Sequence, residues 1–262
     1  MKWIISLLTI FAITGCSQVN SETKIASHKE HQLAAKYKNQ QPKEWGEKVT
    51  GVYTALNTNE KVIALTFDAC GGPTGSGYDA GLIQWLKKKK IPATLFINSR
   101  WIDANKQTFL ALAKDPLFEI ENHGTHHKPL SVNGKAAYGI AGTNSPQEVI
   151  NEVWDNHLKI QQLTLQTPKF FRSGTAYVDD VAVKIVKDLG ENVVNYNVLG
   201  DAGATFTAAQ VKAALLSSKP GSIVLRHMNK PASGTAEGVI AAVPELVKQG
   251  YRFVKLTEFP LK

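Results

Sequence analysis

Short β-branched runs alternate with longer stretches of helical period from Lys61 to Leu256. Val62–Phe67 is apolar except for one threonine, the pattern of a strand buried on both faces. Asp79–Lys90 then places Leu82, Ile83 and Leu86 at helical spacing. The same reading predicts strands at Ala93–Ile97, Phe118–Glu121, Lys169–Arg172, Asn192–Asn197, Ser222–Arg226 and Arg252–Leu256. Helices are predicted at Asp103–Lys114, Ser145–Leu165, Val178–Leu189, Thr207–Ser217 and Thr235–Gln249, the last tightened or kinked by Pro244. Ser145-Pro146-Gln147-Glu148 is a capping box with proline at the first helical position. A long loop, 122–144, interrupts the alternation, and loops of that length in compact domains are usually functional or disordered.

About seven β-α units with right-handed crossovers predict an α/β fold, a distorted or incomplete (β/α) barrel of about seven parallel strands. Chemistry in such folds collects at the C-terminal ends of the strands.

The chain begins differently. Trp3–Ile13 is almost wholly apolar, too short for a transmembrane span and of signal-peptide length. It ends Ile13-Thr14-Gly15-Cys16, which resembles the lipobox of bacterial lipoproteins. Residues 1–15 are therefore read as a lipoprotein signal peptide, with Cys16 as the lipid attachment and a membrane as partner. Residues 16–50 are polar and lack a sustained apolar period, so they read as a tether with a short helix near Glu30–Tyr37. Residues 51–262 form the domain. With Cys16 lipidated, Cys70 is alone and the domain needs no disulfide. A formal charge of +8 suits an anionic envelope or wall polymer. No nucleic-acid motif is present, and no such partner is expected.

The polar residues of interest stand at predicted strand ends. Asp68 closes the first strand and is followed, after Ala69 and Cys70, by two glycines that allow close approach to the backbone. Residues 68 and 70 of an extended strand end project to one side, opposite to 69. Three histidines fall within Asn122-His123-Gly124-Thr125-His126-His127. On one helical turn His123 and His127 would face the same way, as a divalent metal requires. Neutral imidazoles suit zinc and the late first-row metals. His227 ends the strand Ser222–Arg226, where an imidazole can serve as general acid or base. Arg172 and Asp201 hold comparable places. Arg172 can keep a carboxylate ionised, and Asp201 can orient an imidazole and raise its pKa. Trp101 and Tyr177 are aromatics able to stack on a sugar or to pack in the core.

These residues resemble the polysaccharide deacetylase family, the carbohydrate esterases of the chitooligosaccharide-deacetylase fold. The resembling pieces are Thr66-Phe67-Asp68, Pro92–Ile97, Asn122-His123 through His127-Lys128-Pro129, Phe171-Arg172 and Leu225-Arg226-His227, in the family's order over about Lys61 to Leu256. The resemblance implies hydrolysis of acetyl groups from N-acetylated, or sometimes O-acetylated, polysaccharides with one divalent metal, often zinc. It implies Asp68 as catalytic base, His227 as general acid, Arg172 as the residue holding the base, and His123 and His127 as metal ligands. It adds an oxyanion contact from the backbone N–H that follows Cys70.

Two positions depart from the family pattern. The family's second aspartate, its third metal ligand, is replaced by Ala69, so Asp68 itself or Cys70 must complete a metal set. The Arg-x-Pro-x-Gly motif is replaced by Arg172-Ser173-Gly174-Thr175-Ala176-Tyr177. The leading expectation is an N-deacetylase acting on peptidoglycan or another N-acetylglucosamine polymer of the cell envelope. A non-catalytic glycan-binding lipoprotein and a de-O-acetylating esterase stand as alternatives.

Overall fold

In the computed structural model, which describes residues 29–262, the principal strands curl into one parallel sheet, apart from a separate antiparallel pair, 45–46 with 178–179. In chain order the elements are α1 (29–37), β1 (Trp45–Gly46), β2 (Val62–Ala69), α2 (Ala80–Lys89), β3 (Ala93–Ile97), α3 (Ser99–Ala104), α4 (Lys106–Lys114) and β4 (Phe118–Asn122). They continue with α5 (Pro146–Thr164), β5 (Phe170–Phe171), β6 (Val178–Asp179), α6 (Asp180–Asp188), β7 (Asn192–Val193), β8 (Val198–Leu199), α7 (Ala208–Leu216), β9 (Ser222–His227), α8 (Thr235–Lys248) and β10 (Arg252–Val254).

The strand order is β7-β5-β4-β3-β2-β9-β8, every pairing is parallel, and β10 adds to the start of β2. This is the distorted, incomplete (β/α) barrel that the alternation predicts. The open seam lies between β7 and β8. Residues 53–56 bridge it, with Tyr53 pairing Val194 and Ala55 pairing Ser222.

Alternate residues of the strands face two different cores. Ile63, Leu65, Phe67 and Ala69 of β2 pack outward under the helices. Val62 and Ala64 point into the barrel with Phe96, Phe170, Val194 and Ile223, forming an apolar floor. Thr66 and Asp68 continue that inward row above the floor, and both are buried.

The helix read over Asp103–Lys114 is divided into α3 and α4 at Asn105, whose side chain donates to the Ser76 and Trp101 carbonyls. α8 runs through Pro244 as one helix. Residues 29–50, taken from the sequence as the later part of a tether, lie against the domain. Tyr37 and Val49 are buried with Val183 and Val186, Tyr37 and Lys36 bind Asp188, and β1 pairs with β6. The signal peptide and Cys16 lie outside the described residues. Among the described residues no helix is long and apolar enough to cross a membrane.

Candidate active site

Asp68 and His227 occupy the same register level on neighbouring strands, at the C-terminal ends of β2 and β9. Both line a cleft of about 580 Å³ with Cys70, His127, Gly174, Tyr196 and Leu199. Each is held by a residue from elsewhere in the barrel.

Arg172 follows β5 and is fully buried above the apolar floor, its guanidinium 4.1 Å from the Phe96 ring. Its Nη1 donates to Asp68 Oδ1 at 2.8 Å and to Thr66 Oγ1 at 2.9 Å. Its Nε and Nη2 donate to the Val194 and Asn195 carbonyls, each at 3.0 Å, so the side chain closes the seam beside β7. Burial raises the Asp68 carboxyl, but Arg172, then His123 and His227, outweigh it and hold the group below its ordinary value. Asp68 therefore presents an ionised carboxylate at neutral pH.

His227 donates from Nδ1 to Asp201 Oδ1 at 2.8 Å. Asp201 Oδ2 accepts from the His227 backbone N–H at 2.7 Å and from the Thr235 hydroxyl at 3.0 Å. This fixes the tautomer and aims Nε2 away from Asp201. Burial lowers the imidazole, but Asp201 outweighs it and, with Cys70, raises the pKa well above the ordinary histidine value. An imidazole whose protonated form is favoured thus stands beside a carboxylate whose ionised form is favoured, in one cleft.

The paired histidines are brought together by a loop, which corrects the expected helical turn. Gly124 takes φ +76° and His127 φ +62°. The buried Glu152 carboxylate accepts the His126 N–H at 3.0 and 2.9 Å and the Lys128 N–H at 3.2 Å, folding the loop about one point. A Cβ at Gly124 would meet Glu152 Oε1 at 2.5 Å, and a Cβ at Gly174 would meet the His127 backbone at 2.4 Å. Both positions therefore require glycine. The imidazole centroids end 5.0 Å apart with the rings nearly perpendicular.

His123 Nδ1 donates to the Arg172 carbonyl at 2.9 Å, leaving Nε2 as the free lone pair. That nitrogen lies 3.8 Å from Cys70 Sγ and 3.7 Å from Asp68 Oδ2. The ligand atoms of Cys70, His123 and His127 all fall within 4.8 Å of one another. Ligand atoms around tetrahedral zinc sit about 3.5 Å apart. His127 Nε2 is buried without a hydrogen-bond partner among the described residues. An orphaned imidazole nitrogen beside a second lone pair and a thiol fits a cation. Burial raises the Cys70 thiol, but His127 and His227 outweigh it and bring it down to about 6, so it is available as thiolate. Ala69 packs in the outer core.

Two sequence expectations change. The N–H following Cys70, that of Gly71, donates to the Gly75 carbonyl at 2.9 Å and is not free for an oxyanion. Trp101 is fully buried with its indole N–H on the Gly77 carbonyl at 2.8 Å, so it is a core residue and not a sugar platform. Glu152 and Thr235 escaped the sequence reading. Each has an ordinary residue type for its element, and only distant partners give it a role.

With this geometry in place, comparison with known proteins decides the family. The model of the family described as polysaccharide deacetylase matches residues 55–194. The chain belongs to the polysaccharide deacetylase family. The chain is 28% identical over 214 residues to a peptidoglycan-N-acetylglucosamine deacetylase of Bacillus cereus, covering 80% of this chain and 93% of that one. Its fold matches a CE4 family pseudoenzyme from Bacillus anthracis at TM-score 0.67 and 24% identity, over 79% of this chain and 68% of that chain. It also matches a family 4 carbohydrate esterase from Bacillus anthracis at TM-score 0.64 and 23% identity, over 85% and 97%. Family membership supports a carbohydrate esterase or deacetylase activity, and the structural relatives include both an esterase and a pseudoenzyme.

Proposed function

We propose that this protein is a metal-dependent hydrolase that removes acetyl groups from an N-acetylated cell-envelope polysaccharide, peptidoglycan or another N-acetylglucosamine polymer. The observation that carries this reading is the Asp68–His227 pair. The two face one cleft from neighbouring strands, each with its own charge-fixing partner. A module that only held a glycan would gain nothing from a base and an acid poised this way.

Asp68 accepts the proton of the attacking water while Arg172 holds its other oxygen. His227, protonated and oriented by Asp201, donates to the sugar nitrogen as the C–N bond breaks, so that water and acetamide become acetate and amine. Cys70, His123 and His127 would hold a divalent metal, with Cys70 in place of the aspartate that Ala69 replaces. A thiolate with two imidazoles suits zinc. When bound, the metal supplies Lewis acidity toward the acetyl oxygen and a more acidic water. Asp68, engaged by Arg172, then keeps the role of base. The lipobox-like Ile13-Thr14-Gly15-Cys16 supports export and anchoring through Cys16, which would set the protein beside an envelope substrate.

Acetate release from acetylated peptidoglycan, chitooligosaccharides and acetylated xylan tests this. Release that depends on Asp68 and His227 is expected, with loss in Asp68→Asn and His227→Ala. Release unchanged in both variants refutes the mechanism. Release from xylan alone moves the assignment to O-deacetylation. No release from any polymer leaves the glycan-binding reading.

A further inference from the structure

The mouth of the cleft carries an aromatic arrangement that the reaction leaves unused. Residues 137–140 form a two-residue hairpin turn. The Ala137 and Ile140 backbones exchange both hydrogen bonds, at 3.1 and 2.9 Å. The central residues Tyr138 and Gly139 have φ of +51° and +74°. A turn with both central residues at positive φ selects Asn-Gly or Gly-Gly, because a Cβ there crowds its own backbone. Tyr138 is bulky, and it is 73% exposed. Neither local conformation nor burial accounts for a tyrosine at this place. Strained positions held by their surroundings cluster at ligand sites.

The surroundings here are specific. The Tyr138 ring stands edge-to-face against Tyr177, centroids 5.4 Å apart, and Tyr177 rests against Trp45 at 5.7 Å. The Tyr138 hydroxyl donates to Glu47 Oε1 at 3.1 Å, and the Tyr196 hydroxyl donates to Glu47 Oε2 at 2.8 Å. The Glu47 carbonyl accepts from Asn195 Nδ2 at 2.6 Å. One carboxylate, next to β1, therefore pins two tyrosines of the cleft. Ile140 and Leu199, 38% and 43% exposed, line the same cleft as Asp68 and His227. Exposed apolar side chains that line one cleft are candidates for a binding surface.

We propose that Tyr138, Ile140 and Leu199 form a second sugar subsite. It takes the pyranose ring next to the one whose acetyl group lies between Asp68 and His227, and Glu47 sets its geometry. A pyranose offers an apolar C–H face ringed by hydroxyls, which matches an aromatic face with a polar tip. The identity of the ligand as an acetamidosugar polymer rests on the deacetylase reading, whereas the strained platform is observed independently of it.

The test is calorimetric titration of the full chain with N-acetylglucosamine monomer and tetramer, in wild type, Tyr138→Asn, Tyr138→Phe and Glu47→Gln. Asparagine suits the turn, so the thermal midpoint of Tyr138→Asn should hold or rise and certify folding. Wild type should prefer tetramer over monomer by about tenfold, the scale of one aromatic contact. That ratio should collapse toward one in Tyr138→Asn, survive largely in Tyr138→Phe, and be intermediate in Glu47→Gln. Equal ratios in wild type and Tyr138→Asn, or no length preference in wild type, overturn the subsite. Acetate release is followed in parallel. Length-dependent binding lost in Tyr138→Asn, without release from any polymer, upholds the subsite and defeats only the deacetylase reading. Normal release with no dependence on Tyr138 defeats the subsite alone.

Discussion

Arg172 Nη1 donates to Asp68 Oδ1 at 2.8 Å inside the barrel, and this one bond joins the buried floor to the cleft. Arg172 comes from the end of β5 and Asp68 from the end of β2, 104 residues apart. The guanidinium is fully enclosed and its other donors reach the Thr66 hydroxyl and two backbone carbonyls, so the pair is part of the barrel's closure as well as of the cleft.

Replacing Arg172 by methionine should therefore damage fold and function together. Breaking a buried pair leaves an uncompensated charge, which costs about 3–5 kcal/mol. Denaturant unfolding should show a loss of that size. Adding Asp68→Asn to Arg172→Met should restore part of it, because the stranded charge is then gone. A double variant no more stable than Arg172→Met would refute the pairing.

Asp201→Asn should move the alkaline limb of the pH–kcat/KM profile to lower pH. Asp201 raises the His227 pKa, and the proposed acid acts only when protonated. The stability consequence has a definite sign. A raised histidine contributes stability that is complete below its unfolded value near 6.5 and is lost as pH rises through its folded value. Wild type should thus lose stability relative to Asp201→Asn on alkalinisation above about pH 6.5. An unshifted limb would rule out the charge coupling.

Metal analysis offers a direct check of the Cys70–His123–His127 set. The purified chain should bind close to one equivalent of zinc, and cobalt in its place should show thiolate-to-metal absorption that Cys70→Ser lacks. Metal at about 100 times its Kd should stabilise the fold by about 2.7 kcal/mol, read as a thermal midpoint that a chelator lowers. Cobalt bound without the thiolate band would return the third ligand to Asp68.

Gly174→Ala should act on His127 from outside the metal set. The added methyl would overlap the His127 backbone, and overpacking of that kind costs about 1–3 kcal/mol. The expected result is a lower midpoint with weakened metal binding and unaltered circular dichroism in the far ultraviolet. Metal affinity equal to wild type would show that the loop tolerates the shift.

Much of the frame was legible because strand burial and helical spacing are local patterns. Val62–Phe67 had to be an inner strand, and what followed it had to lie at a strand end. The loop holding His123 and His127 was legible only as a loop. The four-residue spacing suggested a helical turn, but Glu152, on α5, gathers the His126 and Lys128 amides and imposes positive φ at Gly124 and His127. Residues 29–50 looked like a tether because their apolar members are few. Yet Tyr37 and Val49 reach a core whose other side is α6.

By itself, the sequence determined the parallel α/β frame and the strand-end positions of Asp68, Arg172 and His227. These follow from periodicity and residue type, which act over a few neighbours. Tertiary structure alone decided that Cys70 converges with the two histidines, that Asp201 meets His227 across 26 residues, and that Glu47 ties Tyr138 and Tyr196 over 91 and 149. Such contacts depend on how the barrel closes around its buried arginine, and closure is a property of the whole chain.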